Sequence, residues 1–175
     1  MLFTLTSYHS SQIIEGYDEL KQQKTCKLDS CWISRDYSIK SARNTYVSFS
    51  RLDASNIQAT VSTTIVNNYP SLSKNARLVF KLTYSNGGTE ILRFIGKDYT
   101  QTSRDDYAYT QYRTFRTPIE HSAVVFNLSL DQLNKVINAV EIQFDFEAGK
   151  EPIRGTLDES EKQMFKEFLS KCYPK

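Results

Sequence analysis

The chain carries two histidines, His9 and His121, and three cysteines, Cys26, Cys31 and Cys172. Imidazole and thiol are the side chains best suited to proton transfer, nucleophilic attack or metal binding near neutral pH, so their settings decide which chemistry is open to the protein. His121 stands between Glu120 and Ser122 in an apolar stretch. That setting favours a hydrogen-bonded strand residue over a catalytic base. The sequence holds no GxSxG or HExxH motif, no phosphate-cradling glycine loop and no dinucleotide fingerprint. Cys26 and Cys31 have no second close pair of Cys or His to complete a zinc set, so neither a metal nor a cofactor is expected. Three arrangements of the thiols stay open: a short-loop disulfide between Cys26 and Cys31, a bridge from one of these to Cys172, or three buried thiols.

Paired carboxylates are the remaining route to acid and base catalysis. Asp105 and Asp106 are adjacent, and Asp145 and Glu147 fall on one face of an alternating stretch. The first pair reads as a solvated turn and the second as the wet side of a strand, because neighbours along one element rarely build a cleft between them. We therefore expect no catalytic residues.

The segment 99–116 is more informative. It gathers Tyr99, Tyr107, Tyr109, Tyr112 and Phe115 with Arg104, Arg113 and Arg116 and holds few aliphatic residues. Tyrosine offers a large rigid face with a polar tip, and arginine a planar donor that pairs or stacks, which suits a contact surface. Tyr99, Arg104, Tyr107, Tyr109, Tyr112, Arg113 and Arg116 are the candidate binding residues. The competing reading is a long hairpin whose tyrosines cover the edge of the core.

Over 175 residues there are 22 Lys and Arg against 20 Asp and Glu, a net charge of +2, which argues against nucleic acid as the default partner. The balance is uneven: residues 1–50 carry +1, residues 51–116 carry +4 and residues 117–175 carry −3. The length matches a single globular domain, 1–175, able to bury a core without metals. No apolar run approaches the roughly eighteen residues of a membrane-spanning helix. The opening Met1-Leu2-Phe3 stretch lacks the basic start and cleavage site of a signal peptide. Richness in Ser, Thr, Asn and Tyr favours an exported, periplasmic or secreted protein over a cytoplasmic one.

The elements that position these residues follow from periodicity. Ile13, Ile14, Tyr17 and Leu20 recur at helical spacing and predict an amphipathic helix over 11–24. From Cys31 to Val66 the period falls to two and β-branched residues abound, predicting three successive antiparallel strands, the first placing Trp32 in the core. Leu78 to Tyr84, then Asn86-Gly87-Gly88, then Glu90 to Ile95 is a hairpin. Ile119 to Leu128 reads as a strand, Ser129 to Gln132 as a capping box opening a short helix near 130–139, and Val140 to Phe146 as a strand with an acidic wet face. Thr156 to Glu159 reads as a second capping box, opening a helix near 157–172.

The sum is an α+β, predominantly β fold: an antiparallel sheet assembly, sandwich or strongly curved sheet, with an N-terminal helix and two later ones. The expected function is a non-enzymatic binding module that engages a protein or glycan through 99–116. Its rival is a small-ligand carrier or hydrolase with a pocket between the sheet and the C-terminal helix.

Overall fold

A computed structural model describes residues 12–20, 22–37, 42–66, 75–109, 114–147 and 152–174, with the side chains of 30, 32, 34–37, 42, 107–109 and 115 excepted. Among the described residues ten strands and two helices follow one another as β1 (Gln12–Asp18), β2 (Gln23–Tyr37), β3 (Ala42–Arg51), β4 (Asn56–Val66), β5 (Arg77–Thr83), β6 (Thr89–Ile95), β7 (Asp98–Tyr109), β8 (Thr114–Ser129), α1 (Leu130–Asn138), β9 (Glu141–Glu147), β10 (Ile153–Leu157) and α2 (Glu159–Cys172). A six-stranded sheet runs β1-β2-β3-β4-β8-β7 and a four-stranded sheet runs β10-β9-β5-β6. Every paired neighbour is antiparallel.

The fold is mostly β with two antiparallel sheets, and both helices lie in the C-terminal part of the chain. The helix expected over 11–24 is a correction: the segment is β1 followed by the start of β2, with Ile13 opposite Leu28 and Tyr17 opposite Lys24. A helix there would need its four apolar residues to share one buried stripe. Instead Tyr17 is 60% and Leu20 98% exposed, and Gly16 sits so close to Thr25 that a Cβ would lie 3.0 Å from its hydroxyl. The ladder to β2 outweighs a local pattern that Gly16 already weakens. Trp32 takes a β2 position opposite Tyr46, and its side chain lies outside the described residues.

The two inner faces and both helices share one core. Phe126 of β8 meets Phe146 of β9 edge to face at 6.0 Å, joining the sheets. Elsewhere α2 covers the larger sheet: Phe49 of β3 packs against Phe165 at 4.8 Å and Phe168 at 5.6 Å. All five rings are essentially inaccessible to solvent, and burying each contributes about 2–3 kcal/mol. The space between sheet and C-terminal helix, where a pocket is the rival expectation, is filled by these rings.

A disulfide joins Cys26 of β2 to Cys172 at the end of α2, with Cα atoms 5.5 Å apart. The short-loop Cys26–Cys31 bridge is thereby excluded, for a geometric reason. Both residues lie on β2, where five residues of strand span about 16 Å, far beyond the roughly 4–7 Å that a disulfide tolerates. Cys31 is buried apart from the bridge. Around Cys172 the chain end is clasped further. Arg51 donates to the Cys172 carbonyl at 2.8 Å and lies over the Tyr173 ring, whose hydroxyl donates to the Asn56 carbonyl at 2.7 Å.

Local chemistry explains the remaining termini. Ser129 and Gln132 form the capping box of α1, as the sequence predicts. The cap of α2 is Asp158 paired with Glu161, two residues later than expected, because Thr156 and Leu157 belong to β10. Gly87 adopts φ +79° in the β5–β6 turn, where the Gly87 amide donates to the Tyr84 carbonyl at 2.9 Å. A salt bridge of 2.9 Å from Lys135 to Glu90, which also accepts from the Tyr84 hydroxyl, ties α1 to that hairpin.

Candidate functional site

The outer face of the six-stranded sheet carries a groove of about 510 Å³, within the range of ligand sites. Its floor follows from strand alternation. In β4 the residues Ile57, Ala59, Val61, Thr63 and Ile65 turn inward, which sends Gln58, Thr60, Ser62 and Thr64 to the other side. Threonine and serine outside, aliphatics inside, is what a half-buried strand selects. β3 alternates likewise, with Val47 and Phe49 buried and Asn44 and Tyr46 on the outer side.

Register then aligns these outward positions into rows that cross four strands. Asn44, Thr64, His121 and Thr102 are successive cross-strand partners on β3, β4, β8 and β7. Tyr46, Ser62, Ala123 and Thr100 form the parallel row beside them. With about 4.8 Å between strands, each row is about 14 Å long. Arg104, opposite Ile119, closes the end next to His121.

Within the groove, Thr64 Oγ1 and His121 Nδ1 share a hydrogen bond of 3.0 Å, which fixes the plane of the imidazole. Beneath them, on the inner face, Thr63 and Ser122 share a second hydrogen bond of 3.0 Å that closes the sheet between β4 and β8. Threonine and serine hydroxyls, one amide, one phenol, one imidazole and one guanidinium line the groove, with no carboxylate among the described lining residues. The set donates and accepts hydrogen bonds in many directions. Among the described lining residues no acid stands beside His121.

The seven residues chosen from the sequence are divided by the same alternation. Arg104 lines the groove, with its Nε 3.4 Å from Asp106. Tyr99 turns toward the core, half-buried, and its hydroxyl donates to Gln101 at 2.7 Å. Burial, with a smaller contribution from the Glu120 charge, raises the Tyr99 hydroxyl above the ordinary tyrosine value. Arg116 pairs with Asp105 at 2.8 Å on the face opposite Arg104. Tyr107 and Tyr109 occupy β7 positions opposite Arg116 and Thr114, but their side chains lie outside the described residues. Tyr112 and Arg113, like His9, lie outside them altogether.

Neither carboxylate pair forms a cleft. Asp105 and Asp106 fall on opposite faces of β7, and each meets an arginine. Asp145 pairs with Arg154 at 2.7 Å, and Glu147 with Arg77 at 3.9 Å.

Asn44, Tyr46, Ser62 and Thr64 are not among the residues that the sequence singles out. Their outward alternation is legible along each strand. Their convergence depends on pairing between β4 and β8, whose Thr64 and His121 are 57 residues apart. Comparison with protein-family models and with curated proteins returns no match for the chain.

Proposed function

We propose that this protein is a non-enzymatic binding module for oligosaccharides, which lie across the outer face of the six-stranded sheet. The observation that carries this reading is the pair of parallel rows, Asn44-Thr64-His121-Thr102 and Tyr46-Ser62-Ala123-Thr100, set in a groove without carboxylates among its described residues. A sugar presents hydroxyls around its rim and C–H groups on its faces. Hydroxyl, amide and imidazole side chains match the rim, since each can give or take a hydrogen bond, and Tyr46 supplies a flat surface for a ring face. Arg104 and the outward threonines are the contribution of segment 99–116. An apolar ligand would leave the hydroxyl rows unpaired at a cost of about 1–3 kcal/mol for each buried group. An extracytoplasmic location belongs with this reading and is supported by the Cys26–Cys172 disulfide.

The test is an array of immobilised oligosaccharides probed with the oxidised protein, followed by titration of a bound glycan into isotope-labelled protein. We expect amide shifts at Ser62, Thr64, His121 and Thr102. Tyr46→Ala and His121→Ala should each weaken binding about fivefold or more, the worth of one hydrogen bond or stacking contact. Binding left unchanged by both substitutions, or an array with no bound saccharide, overturns the reading.

A further inference from the structure

The opposite side of the sandwich holds a second concavity of about 520 Å³, on the outer face of the four-stranded sheet. Its chemistry differs from that of the hydroxyl-lined groove. Two rows cross this sheet: Arg93, Val79, Asp145 and Arg154 in one, Ile91, Lys81, Gln143 and Thr156 in the other. Val79 and Ile91 form an apolar strip, with Ile91 47% exposed, and Lys81 and Arg93 stand at diagonal positions on either side of it.

The outer face of β10, β9, β5 and β6 carries four cations, Arg77, Lys81, Arg93 and Arg154, against three carboxylates, an excess of one positive charge. Three carboxylates look outward from β9, and each is engaged: Asp145 with Arg154 at 2.7 Å, Glu147 with Arg77 at 3.9 Å, and Glu141 accepting from Gln143 at 2.8 Å. Neither Lys81 nor Arg93 forms an ion pair among the described residues; Glu141 and Asp145 stand diagonal to Lys81, whereas Arg93 has only Arg77 and Lys81 at its diagonals on β5. Like charges at diagonal cross-strand positions repel, and the sheet keeps them there beside exposed apolar surface. An anion between them would remove the repulsion, and an attached hydrocarbon would cover Val79 and Ile91.

From this we infer that the outer face of the four-stranded sheet is a binding site for a small amphiphilic carboxylate, with the anionic group held by Lys81 and Arg93 and the apolar body laid over Val79 and Ile91. The site is independent of the saccharide groove, on the other sheet.

Octanoate is a suitable probe, with octanol and acetate as controls that keep only the chain or only the charge. Titrated into isotope-labelled protein, octanoate should give saturable amide shifts centred on Val79, Lys81, Ile91 and Arg93, with a dissociation constant of about 1 mM or tighter. Each control should bind about tenfold more weakly. Lys81→Met with Arg93→Met should lower octanoate affinity about tenfold, and because both side chains are exposed and their repulsion is removed the melting temperature should not fall. The inference is overturned by octanoate shifts that do not saturate or lie elsewhere, by controls that bind as well as octanoate, or by a double variant that binds it with undiminished affinity.

Discussion

A Cβ built on Gly155 would lie 2.7 Å from the Phe144 ring, because that ring crosses directly over its cross-strand partner. Glycine is what lets β10 pair with β9 while Phe144 stays buried. Gly155→Ala must push the ring aside or open the ladder, so it should lower stability by about 1–3 kcal/mol. Chemical denaturation checks this: the midpoint should fall while the slope stays constant, and an unchanged midpoint would show that the ring moves freely.

The Cys26–Cys172 bridge closes a loop of 146 residues, and the chain-entropy model gives such a closure about 5 kcal/mol. Oxidised protein, unfolded and alkylated, should therefore show one reactive thiol, from Cys31. Reduction or Cys172→Ser should cause a large drop in melting temperature, and Cys31→Ser should leave the bridge intact. Three alkylated thiols in protein purified without reductant would contradict the pairing.

Thr64 holds the His121 ring without being needed by the core. Thr64→Val keeps the shape and the β-branching, so the melting temperature should change little. Saccharide binding should weaken by about fivefold, the worth of about one hydrogen bond, because both the Thr64 hydroxyl and the fixed orientation of His121 are lost. Calorimetric titration of wild type and variant compares the two affinities.

The start of α2 should make stability depend on pH in two directions. Burial, reinforced by the Asp158 side chain, raises the Glu161 carboxyl from 4.5 to about 7. A raised acid stabilises the fold fully below its unfolded value, and the contribution is lost as pH rises through about 7. Asp158 is held well below its ordinary 3.8 by hydrogen bonds with Glu161 and Ser160, so its contribution is present above 3.8 and lost as pH falls. Melting temperature should thus peak between about 3.8 and 4.5 and decline toward 7. In Glu161→Gln the decline on the alkaline side should vanish and the acid limb remain.

Elements governed by contacts close in sequence are legible from the order of residues alone. The Ser129–Gln132 box and the Asn86-Gly87 turn are each specified within four residues, and both form as expected. Ile13, Ile14 and Tyr17 mislead because a short apolar pattern fits two periods, and pairing with β2 makes the choice. β10 is hard to read for a related reason: five residues with a central glycine carry little periodic signal, and the need for that glycine is visible only once Phe144 lies over it. Segment 99–116 stands out by composition. What composition lacks is sidedness, and β7 sends Arg104 to one face and Tyr99 to the other.

The rows across β3, β4, β8 and β7 also act as a ruler. In the row Asn44-Thr64-His121-Thr102 a polar group recurs at the interstrand spacing of about 4.8 Å, so a linear ligand whose units advance by a similar step would meet a hydrogen-bonding side chain at each of these four strands. Affinity for such a polymer should climb with each added unit and then plateau once the ligand reaches from Asn44 to Thr102. The four strands that the rows cross, rather than the full six-stranded sheet, would then set the length of saccharide that the proposed site distinguishes.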